Sequence, residues 1–249
     1  MSGFFRLILG GTMIINNDCY TSVVIVAAGR GTRMGTDIKK QYLEICGIPL
    51  LARTIKVFER CEYIDEIILV VDGDDIIFCK HEIIDRYGFD KIKSIVSGGE
   101  TRQDSVYNGL REVDKDCEVV LIHDGARPFI KQDEIVMLIE AAREYSACTI
   151  ATPVKDTIKL VGHDELIKET LNRNTLWSVQ TPQAFLYETV LAAHKRAIKD
   201  NFNGTDDAQL VERMGISVKL VKGSYNNIKI TTKEDLIIAK AIIEGDYTI

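Results

Sequence analysis

The sequence predicts an α/β fold in which helices cover both faces of a mostly parallel β-sheet. Two observations predict it. Short, almost continuously apolar segments such as Glu66–Val71 have the composition of strands that are buried on both faces. Longer segments such as Pro49–Arg60 carry apolar residues at every third or fourth position, as amphipathic helices do. Regular alternation of the two kinds of segment is typical of parallel strands connected by helices.

The first part of the chain follows this alternation closely. Pro49 stands near the start of the first predicted helix, where proline is a common helix-start signal. The predicted strands are Val23–Ala27, Glu66–Val71, Ile92–Val96, Glu118–Ile122 and Cys148–Val154. The predicted helices between them are Pro49–Arg60, Asp74–Tyr87, Thr101–Val113 and Gln132–Tyr145.

The alternation stops after Pro153. Three short predicted strands follow without a long helix between them: Asp156–Leu160, Leu166–Leu171 and Leu176–Gln180. We interpret them as a β-meander that projects from the domain as an arm. The rest of the chain is predicted to form helices at Tyr187–Lys199, Asp206–Met214 and Thr232–Glu244 and strands at Val218–Val221 and Asn227–Ile230. Residues 23–249 are therefore expected to form one domain, with the arm at about 154–180.

Composition limits the possible functions. Hydrophobic residues make up 46% of the 249 residues and charged residues 27%, which excludes wholesale disorder. The formal net charge of −6 argues against a general nucleic-acid or anionic-membrane binder. No apolar stretch approaches the ~20 residues that a membrane-spanning helix needs. Residues 1–22 are expected to be a leader, a tag or a disordered extension. The six cysteines are scattered without a CxxC motif, as in a cytoplasmic protein with reduced thiols.

The first strand is followed by a glycine-rich loop, AAGRGTRMG at residues 27–35. Glycines at this place let backbone amides approach a phosphate. Met34 occupies the third glycine position of the dinucleotide-binding pattern, and the lysine of the P-loop pattern is missing. Four basic residues lie in or near the loop: Arg30, Arg33, Lys39 and Lys40. We interpret the segment as a polyphosphate clamp, with a solvated charged loop as the alternative.

Further candidate residues follow other predicted strands. Asp124, in HDGARP at 123–128, follows an apolar strand and could hold a divalent cation together with substrate phosphates. The alternative for Asp124 is a turn or helix-capping role, and His123 is expected to be structural. The turn GGETRQDS at 98–105 could let main-chain groups and Ser105 read a base edge, although most Gly-Gly turns are only turns.

Together, these segments resemble a known enzyme family. The run AAGRGTRMG and the following KKQYLEICGIPLLARTI resemble nucleotidyltransferases that join a nucleoside triphosphate to a phosphorylated sugar or alcohol. Six further segments are similar to segments of the 2-C-methyl-D-erythritol 4-phosphate cytidylyltransferases of the non-mevalonate isoprenoid pathway. They are GGETRQDSV, HDGARPF, PVKDTIK, NRNTLWSVQTPQAF, TDDA and NIKITTKEDL. The resemblance covers about residues 21–243.

The resemblance implies a function and an assembly. It implies a Rossmann-like fold of the nucleotide-diphospho-sugar transferase type and a cytoplasmic homodimer whose arms interlock. It also implies transfer of CMP from CTP to 2-C-methyl-D-erythritol 4-phosphate (methylerythritol phosphate), which releases pyrophosphate and forms 4-diphosphocytidyl-2-C-methyl-D-erythritol. The implied cofactor is Mg²⁺ or another divalent cation.

The resemblance also implies roles for individual residues. Arg33 and Lys40 match the catalytic pair at the α-phosphate, and Asp124 would approach Mg²⁺. The residues matched to nucleotide binding are Ala27, Ala28, Gly29, Gly31, Gly99, Glu100 and Ser105. Those matched to binding of methylerythritol phosphate are Thr157 and Arg173 from the partner's arm, together with Arg127, Thr181, Thr205 and Lys229.

Three positions depart from the family pattern, and three alternatives stay open. Lys39 replaces a usual proline, Gly125 a usual alanine, and Glu100 a common aspartate. A ribitol-5-phosphate cytidylyltransferase would share the first loop and the TPQ run, but NRNTLW and TDDA favour the methylerythritol enzyme. Met34 disfavours a dehydrogenase. A binding module that had lost catalysis would be expected to lose Arg33, Lys40 or Asp124, and all three are present.

Overall fold

The structure, a computed structural model, describes residues 19–29 and 39–245. In chain order, its strands are β1 Thr21–Val26, β2 Glu44–Ile45, β3 Ile48–Pro49, β4 Glu66–Val71, β5 Ile92–Ser97, β6 Val119–Asp124, β7 Ala147–Pro153, β8 Lys159–Val161, β9 Ile167–Thr170, β10 Trp177–Leu186 and β11 Lys219–Lys222. Its helices are α1 Leu50–Glu59, α2 Ile76–Phe78 continued by a π-helical segment Cys79–Asp85, α3 Arg102–Leu110, α4 Gln132–Tyr145, α5 Tyr187–Lys199, α6 Asp207–Glu212 and α7 Lys233–Glu244.

Seven of these strands form the central sheet, in the order β11-β7-β10-β6-β1-β4-β5. All neighbouring pairs are parallel except those of β10, which runs antiparallel to both β6 and β7. The predicted α/β fold with a mostly parallel sheet is confirmed. No helix in the two described ranges is long and apolar enough to cross a membrane.

Helices cover both faces of the sheet because successive strand residues point to opposite sides. Val23 and Ile25 of β1 pack in a core with α1 and α4. Val24 packs in a second core with α3, α5 and α6 on the other face. The strands are thus apolar on both sides, which explains their nearly continuous apolar sequence.

The structure corrects two predicted elements. The strand predicted at Leu176–Gln180 is the beginning of β10, which leaves the arm and enters the central sheet, so the arm's own sheet is the two-stranded β8–β9 hairpin and not a three-stranded meander. Thr181 and Pro182 interrupt the strand pattern in the sequence, and the pairing with β7 changes register between Val179 and Gln183. Asn227–Ile230 is an extended loop and not a strand, because the Asn227 side chain, and not a backbone ladder, fixes it to β10.

Three further features of the structure differ from the sequence prediction. The short hairpin β2–β3, with a turn at Cys46 and Gly47 in positive φ, precedes α1 and was not predicted. The helix predicted at Asp74–Tyr87 is present but irregular, with a single 3₁₀ turn followed by α- and π-helical turns. Thr21 and Ser22, assigned from sequence to the extension, belong to β1, and residues 1–18 lie outside the described residues.

Candidate active site

The candidate site lies at the edge of the sheet where the parallel strands β1, β4, β5 and β6 end. Such carboxyl ends bind ligands in open α/β sheets. Val26, the last residue of β1, pairs in register with Asp124, the last residue of β6. The segment Ala27–Gly29 that follows β1 therefore lies beside Asp124.

Asp124 is the centre of an ion-pair cluster, defined here as Arg102, Asp124, Arg127, Asp207 and Lys229. The Lys229 Nζ lies 2.8 Å from Asp124 Oδ2, and the Arg127 Nε lies 3.6 Å from the same oxygen. Arg102 bridges two carboxylates, with its Nε 3.3 Å from Asp124 Oδ1 and its Nη1 2.8 Å from Asp207 Oδ2. The cluster brings together three residues predicted for the site, Asp124, Arg127 and Lys229.

The charges of the cluster favour an anionic ligand. Burial opposes ionisation of Asp124, but the charges of Arg102, Lys229 and Arg127 outweigh it and hold the pKa of this carboxyl well below its usual range. Three cationic side chains thus face two carboxylates, which leaves an excess of positive charge at the sheet edge. The Lys229 side chain is 38% exposed, so its ammonium can also reach a phosphate in the open site.

Lys229 is held in place by the loop that carries it. Its neighbour Ile230 donates a backbone hydrogen bond to the carbonyl of Ala126 (2.9 Å). The buried Asn227 donates to the side chain of Gln180 and to the Thr181 carbonyl, and its own carbonyl accepts from Arg127. These bonds explain why the segment predicted as a strand is a fixed loop beside the cluster.

Thr181 connects β10 to the end of β6. Its Oγ1 accepts a hydrogen bond from the Asp124 backbone N–H at 3.0 Å and lies 3.2 Å from His123 Nδ1. The other ring nitrogen of His123, Nε2, lies 2.9 Å from the Arg127 carbonyl, which can only accept. His123 is therefore an Nε2–H tautomer whose Nδ1 accepts from Thr181. It supports the site structurally, as expected from the sequence.

His123 makes the stability of the fold depend on pH. Burial lowers the pKa of this fully buried histidine from its ordinary 6.5 to about 4. Between these values the unfolded chain binds the proton and the folded chain does not, so stability is complete above pH 6.5 and falls as the pH drops toward 4. We expect a loss of about 2 kcal/mol in unfolding free energy from this residue between pH 7 and pH 5.

Urea unfolding of the wild type and of His123→Gln at the two pH values measures this dependence. His123→Gln should be less stable than the wild type at pH 7. Its unfolding free energy should fall by about 2 kcal/mol less than that of the wild type between pH 7 and pH 5. His163→Gln, which replaces an exposed histidine of the arm, serves as the control and should keep the wild-type dependence. An unchanged dependence in His123→Gln would contradict the assignment.

The predicted nucleotide-binding segments lie against each other. A Cβ built on Gly98 would lie 2.3 Å from the Cβ of Ala28 and 3.0 Å from Ser105 Oγ, so only glycine allows this approach. Ser105 Oγ accepts from the Gly99 N–H at 3.1 Å, which fixes the turn before α3. A Cβ on Gly29 would meet no atom of the described residues within 4 Å, and Gly29 itself is exposed. Glu100 is exposed at the same turn.

Lys40 begins a single 3₁₀ turn, Lys40–Tyr42. In this turn the buried Gln41 donates its side-chain N–H to the Ala27 carbonyl at 3.0 Å, which places Lys40 near the predicted nucleotide loop. The other predicted catalytic residue, Arg33, and the predicted nucleotide-binding Gly31 lie outside the described residues.

Thr205 precedes α6 at the border of the site. The backbone N–H of Thr205 donates to Gln209 Oε1 at 2.8 Å, and its side chain is exposed. The N-cap of this helix is the next residue, Asp206, whose carboxylate accepts from the Gln209 N–H. Thr205 therefore does not cap the helix, and its hydroxyl lies on the surface.

The arm residues are separate from the cluster within one chain. Thr157 and Arg173 are exposed, and Arg173 donates to the Lys155 carbonyl at 3.0 Å. Among the described residues, no hydrogen bond or ion pair connects either of them to the cluster. The predicted contribution of Thr157 and Arg173 to the site thus requires another arrangement, such as a second chain.

Sequence reasoning did not assign Arg102, Asp207 or Gln183 to the site. Gln183 Oε1 accepts from the backbone N–H groups of Asp207 and Ala208, which fixes the start of α6. The buried Asp207 also pairs with His194, whose Nε2 lies 3.1 Å away. All three missed residues stand inside quoted motifs, but their long-range pairing has no local signal in the sequence.

The implied divalent cation can be tested against these residues. The described residues contain no group of three histidine, cysteine or acidic side chains able to hold a metal. Asp124 supplies one ionised carboxylate beside a cationic cluster suited to phosphates. Mg²⁺ is usually bound by one or two carboxylates together with substrate phosphates, so the residues fit an ion that arrives with a triphosphate.

Comparison with known proteins decides the family. A family model, IspD, described as 2-C-methyl-D-erythritol 4-phosphate cytidylyltransferase, matches residues 21–245. The chain belongs to this family. It is therefore a CTP-dependent nucleotidyltransferase by class, and the family resemblance found in the sequence is confirmed.

Individual members of the IspD family align with this chain over nearly their whole length. The 2-C-methyl-D-erythritol 4-phosphate cytidylyltransferase of Alkaliphilus oremlandii (strain OhILAs) is 51% identical over 230 residues, which cover 92% of this chain and 98% of the relative. The equally named protein of Caldanaerobacter subterraneus subsp. tengcongensis is 50% identical over 222 residues, which cover 89% of this chain and 98% of that relative. The crystal structure of 4-diphosphocytidyl-2C-methyl-D-erythritol synthase from Anaerococcus prevotii DSM 20548 is 38% identical, with a TM-score of 0.82 over 92% of this chain and 97% of that chain.

Proposed function

We propose that the chain transfers CMP from CTP to 2-C-methyl-D-erythritol 4-phosphate in isoprenoid precursor biosynthesis. The observation that carries the proposal is the cationic cluster around Asp124, which lies beside Ala27–Gly29 at the start of the glycine-rich segment. The reaction joins two anions, and such a site offsets their repulsion. The family match supplies the identity of the two substrates.

The proposed reaction is an in-line displacement at phosphorus. A phosphate oxygen of methylerythritol phosphate attacks the α-phosphorus of CTP and forms a new P–O bond. The bond between the α-phosphorus and its bridging oxygen breaks, and pyrophosphate leaves with the electron pair. The attacking phosphate is already anionic, so no strong general base is required, and catalysis depends on alignment and charge neutralisation.

The proposed roles follow the positions of the residues. The triphosphate is held by Ala27, Ala28, Gly29 and Gly31. The nucleoside is held by Gly99, Glu100 and Ser105. Lys40 and Arg33 neutralise charge at the α-phosphate. Arg127, Thr181, Thr205 and Lys229 bind methylerythritol phosphate. A cation 4 Å from a developing charge is worth about 4 kcal/mol at an effective dielectric of 20, against about 1 kcal/mol in water.

Mg²⁺ is proposed as the cofactor, with Asp124 as its protein ligand. When bound, it would neutralise the triphosphate and improve pyrophosphate as a leaving group. Asp124 oxygens already accept from Lys229 and Arg102, so one of these side chains must move aside when an ion binds. Arg102 is also held by Asp207 at 2.8 Å, so Lys229 is the side chain expected to move.

We further propose a cytoplasmic homodimer in which each arm, at about residues 154–180, reaches the site of its partner. No nucleic acid or membrane partner is proposed. The arm exposes large apolar side chains, namely Leu160, Val161, Leu166, Ile167 and Trp177. Apolar surface of this kind favours an interface. Thr157 and Arg173 would then complete the partner's substrate pocket, while residues 23–249 form a single catalytic domain.

Subunit complementation tests the exchanged arms. Arg173→Ala and Lys229→Ala should each be nearly inactive alone. If arms cross, a co-expressed 1:1 mixture contains heterodimers with one intact site, and about a quarter of wild-type activity should return. Arg173→Ala co-expressed with the double variant is the matched control, because no site in that mixture is intact. No recovery in the first mixture, with dimers present, would contradict the crossed arrangement.

The proposed reaction itself is tested by pyrophosphate release. The enzyme is incubated with CTP and Mg²⁺, with methylerythritol phosphate and ribitol 5-phosphate in parallel. We expect a strong preference for methylerythritol phosphate. Preference for ribitol 5-phosphate would move the chain to the alternative reaction with the same mechanism, and no release with either would overturn the proposal.

A further inference from the structure

A second ionic cluster lies beside the turn that carries Lys40. We call it the latch and define it as Lys39, Tyr42, Asp72 and Asp75. The Lys39 Nζ lies 2.8 Å from Asp75 Oδ2 and 3.1 Å from an Asp72 oxygen. The Tyr42 hydroxyl donates to the same Asp75 oxygen at 2.9 Å. These residues do not belong to the cluster around Asp124.

The acidic side of the latch is built on fixed backbone. Asp72 follows β4 directly and caps the next turn by accepting from the Asp74 N–H at 3.2 Å. Asp75 ends that turn and leads into α2. The side chains of Asp72 and Asp75 are only 20% and 15% exposed, so their attraction to Lys39 is less screened than that of a surface pair.

The basic side of the latch is equally well held. Burial disfavours the Lys39 ammonium, but its hydrogen bonds to Asp75 and Asp72 outweigh this cost and raise the pKa of Lys39. The Tyr42 ring packs edge-on against Phe78, with the ring centroids 4.8 Å apart. Lys39 is therefore charged, and two carboxylates hold its ammonium.

The latch and the nucleotide loop hold Lys40 from two sides. The Tyr42 N–H donates to the Lys39 carbonyl at 2.9 Å, which closes the turn between them. Gln41 attaches the same turn to the Ala27 carbonyl at 3.0 Å. Lys40 thus stands between a residue fixed by ion pairs and a residue fixed to the nucleotide loop.

We propose that the latch positions Lys40 for the transferred phosphoryl group, so that Lys39, Tyr42 and Asp75 are positioning residues of the reaction. This inference rests on the proposed function, which assigns the α-phosphate to Lys40. The latch orients the turn through paired charges, and an uncharged side chain at position 39 leaves the direction of Lys40 less defined. A misplaced cation stabilises the transition state less, because the geometry of charge stabilisation must be set in advance.

Lys39→Met keeps the length of the side chain and removes its charge. We expect it to lower kcat about tenfold, with the KM for CTP changed less than about twofold, since the group positioned acts in the transition state. Lys39→Arg should restore most of kcat. Lys240→Met is the matched control, because Lys240 forms an exposed pair with Glu244 (3.5 Å) on α7. It should retain wild-type kinetics.

Two double variants separate positioning from other roles. In Lys39→Met/Lys40→Ala, the first change should cost little beyond Lys40→Ala alone, because no lysine is left to position. In Lys39→Met/Asp75→Asn, one negative charge is removed with the positive one, yet kcat should stay low because the pair is still missing. Additive losses in the first variant, or recovery in the second, would overturn the proposal.

A chemical-modification experiment, which needs no turnover, tests the latch independently of the proposed function. CTP with Mg²⁺ should protect Lys40 of the wild type from acetylation, read by mass spectrometry with Lys39 resolved by fragmentation. Protection should be reduced in Lys39→Met and retained in Lys240→Met. If the wild type releases no pyrophosphate but shows this pattern, the proposed function fails, while the positioning of Lys40 at the bound nucleotide by the latch stands. Equal protection of Lys40 in Lys39→Met, or none in the wild type, would overturn the latch.

Discussion

Replacing Asp124 by asparagine is expected to lower kcat by about a hundredfold or more, which corresponds to at least about 2.7 kcal/mol of transition-state stabilisation. The substitution keeps the shape of the side chain and removes its charge. Arg102 keeps its second partner, Asp207, but Arg127 and Lys229 lose the carboxylate that orients them. Lys229 then faces the site without a fixed direction, while Arg127 keeps its hydrogen bond to the Asn227 carbonyl.

The expected split between kcat and KM is the informative part of this prediction. Removal of a negative charge makes the site more positive, so methylerythritol phosphate should bind as well as before or more tightly. The loss should therefore appear in kcat, while the KM for methylerythritol phosphate stays constant or falls. A rise in KM at constant kcat would show that Asp124 serves ground-state binding and would contradict the prediction.

Stability and a charge-matched control accompany the kinetic measurement. Breaking a buried ion pair from one side is costly, and we expect Asp124→Asn to lose about 2 kcal/mol of unfolding free energy, less than for a fully buried pair because Lys229 can turn to water. Asp116→Asn makes the same charge change at an exposed position and should alter neither kcat nor the unfolding free energy. Kinetics are compared at temperatures where both variants are folded.

The sheet was predictable because its strands carry strong local patterns. Glu66–Val71 is buried along its whole length, and its predicted bounds agree with the structure, as do those of the helix Gln132–Tyr145. β10 was not predictable as a long strand, because Pro182 and polar Gln183 interrupt its pattern. Gln183 is nevertheless fully buried, and its amide is satisfied by Thr149 and by the start of α6, which no local pattern encodes.

The site was predictable only in part for a related reason. Asp124 could be proposed from its position after a strand, because parallel strands end at a common edge. Arg102 lies at the start of α3, and its two partners follow 22 and 105 residues later in the chain. Its role depends on the packing of α6 against the sheet, which becomes visible only in three dimensions. The roles of Thr157 and Arg173 depend on a second chain and stay predictions.

Lys40→Ala is the second substitution for which we expect a large effect. The ammonium is proposed to meet charge that develops at the α-phosphate, and removal of one such group typically costs about 10²–10³ in kcat. Binding of CTP should weaken much less, because the glycine loop and the other cations still hold the triphosphate. Lys195→Ala removes the same charge at an exposed position of α5 and is the control.

Comparison with the neighbouring lysine, Lys39, shows which of the two lysines acts at the α-phosphate. Lys39 and Lys40 are adjacent in sequence, and Lys39 is paired with Asp72 and Asp75 in the latch. If Lys40 is the catalytic lysine, Lys40→Ala should lower kcat at least tenfold further than Lys39→Met, since losing the group costs more than misplacing it. The reverse order, with Lys39→Met the more damaging, would assign the phosphate to Lys39 and make the latch a resting state that opens when CTP binds.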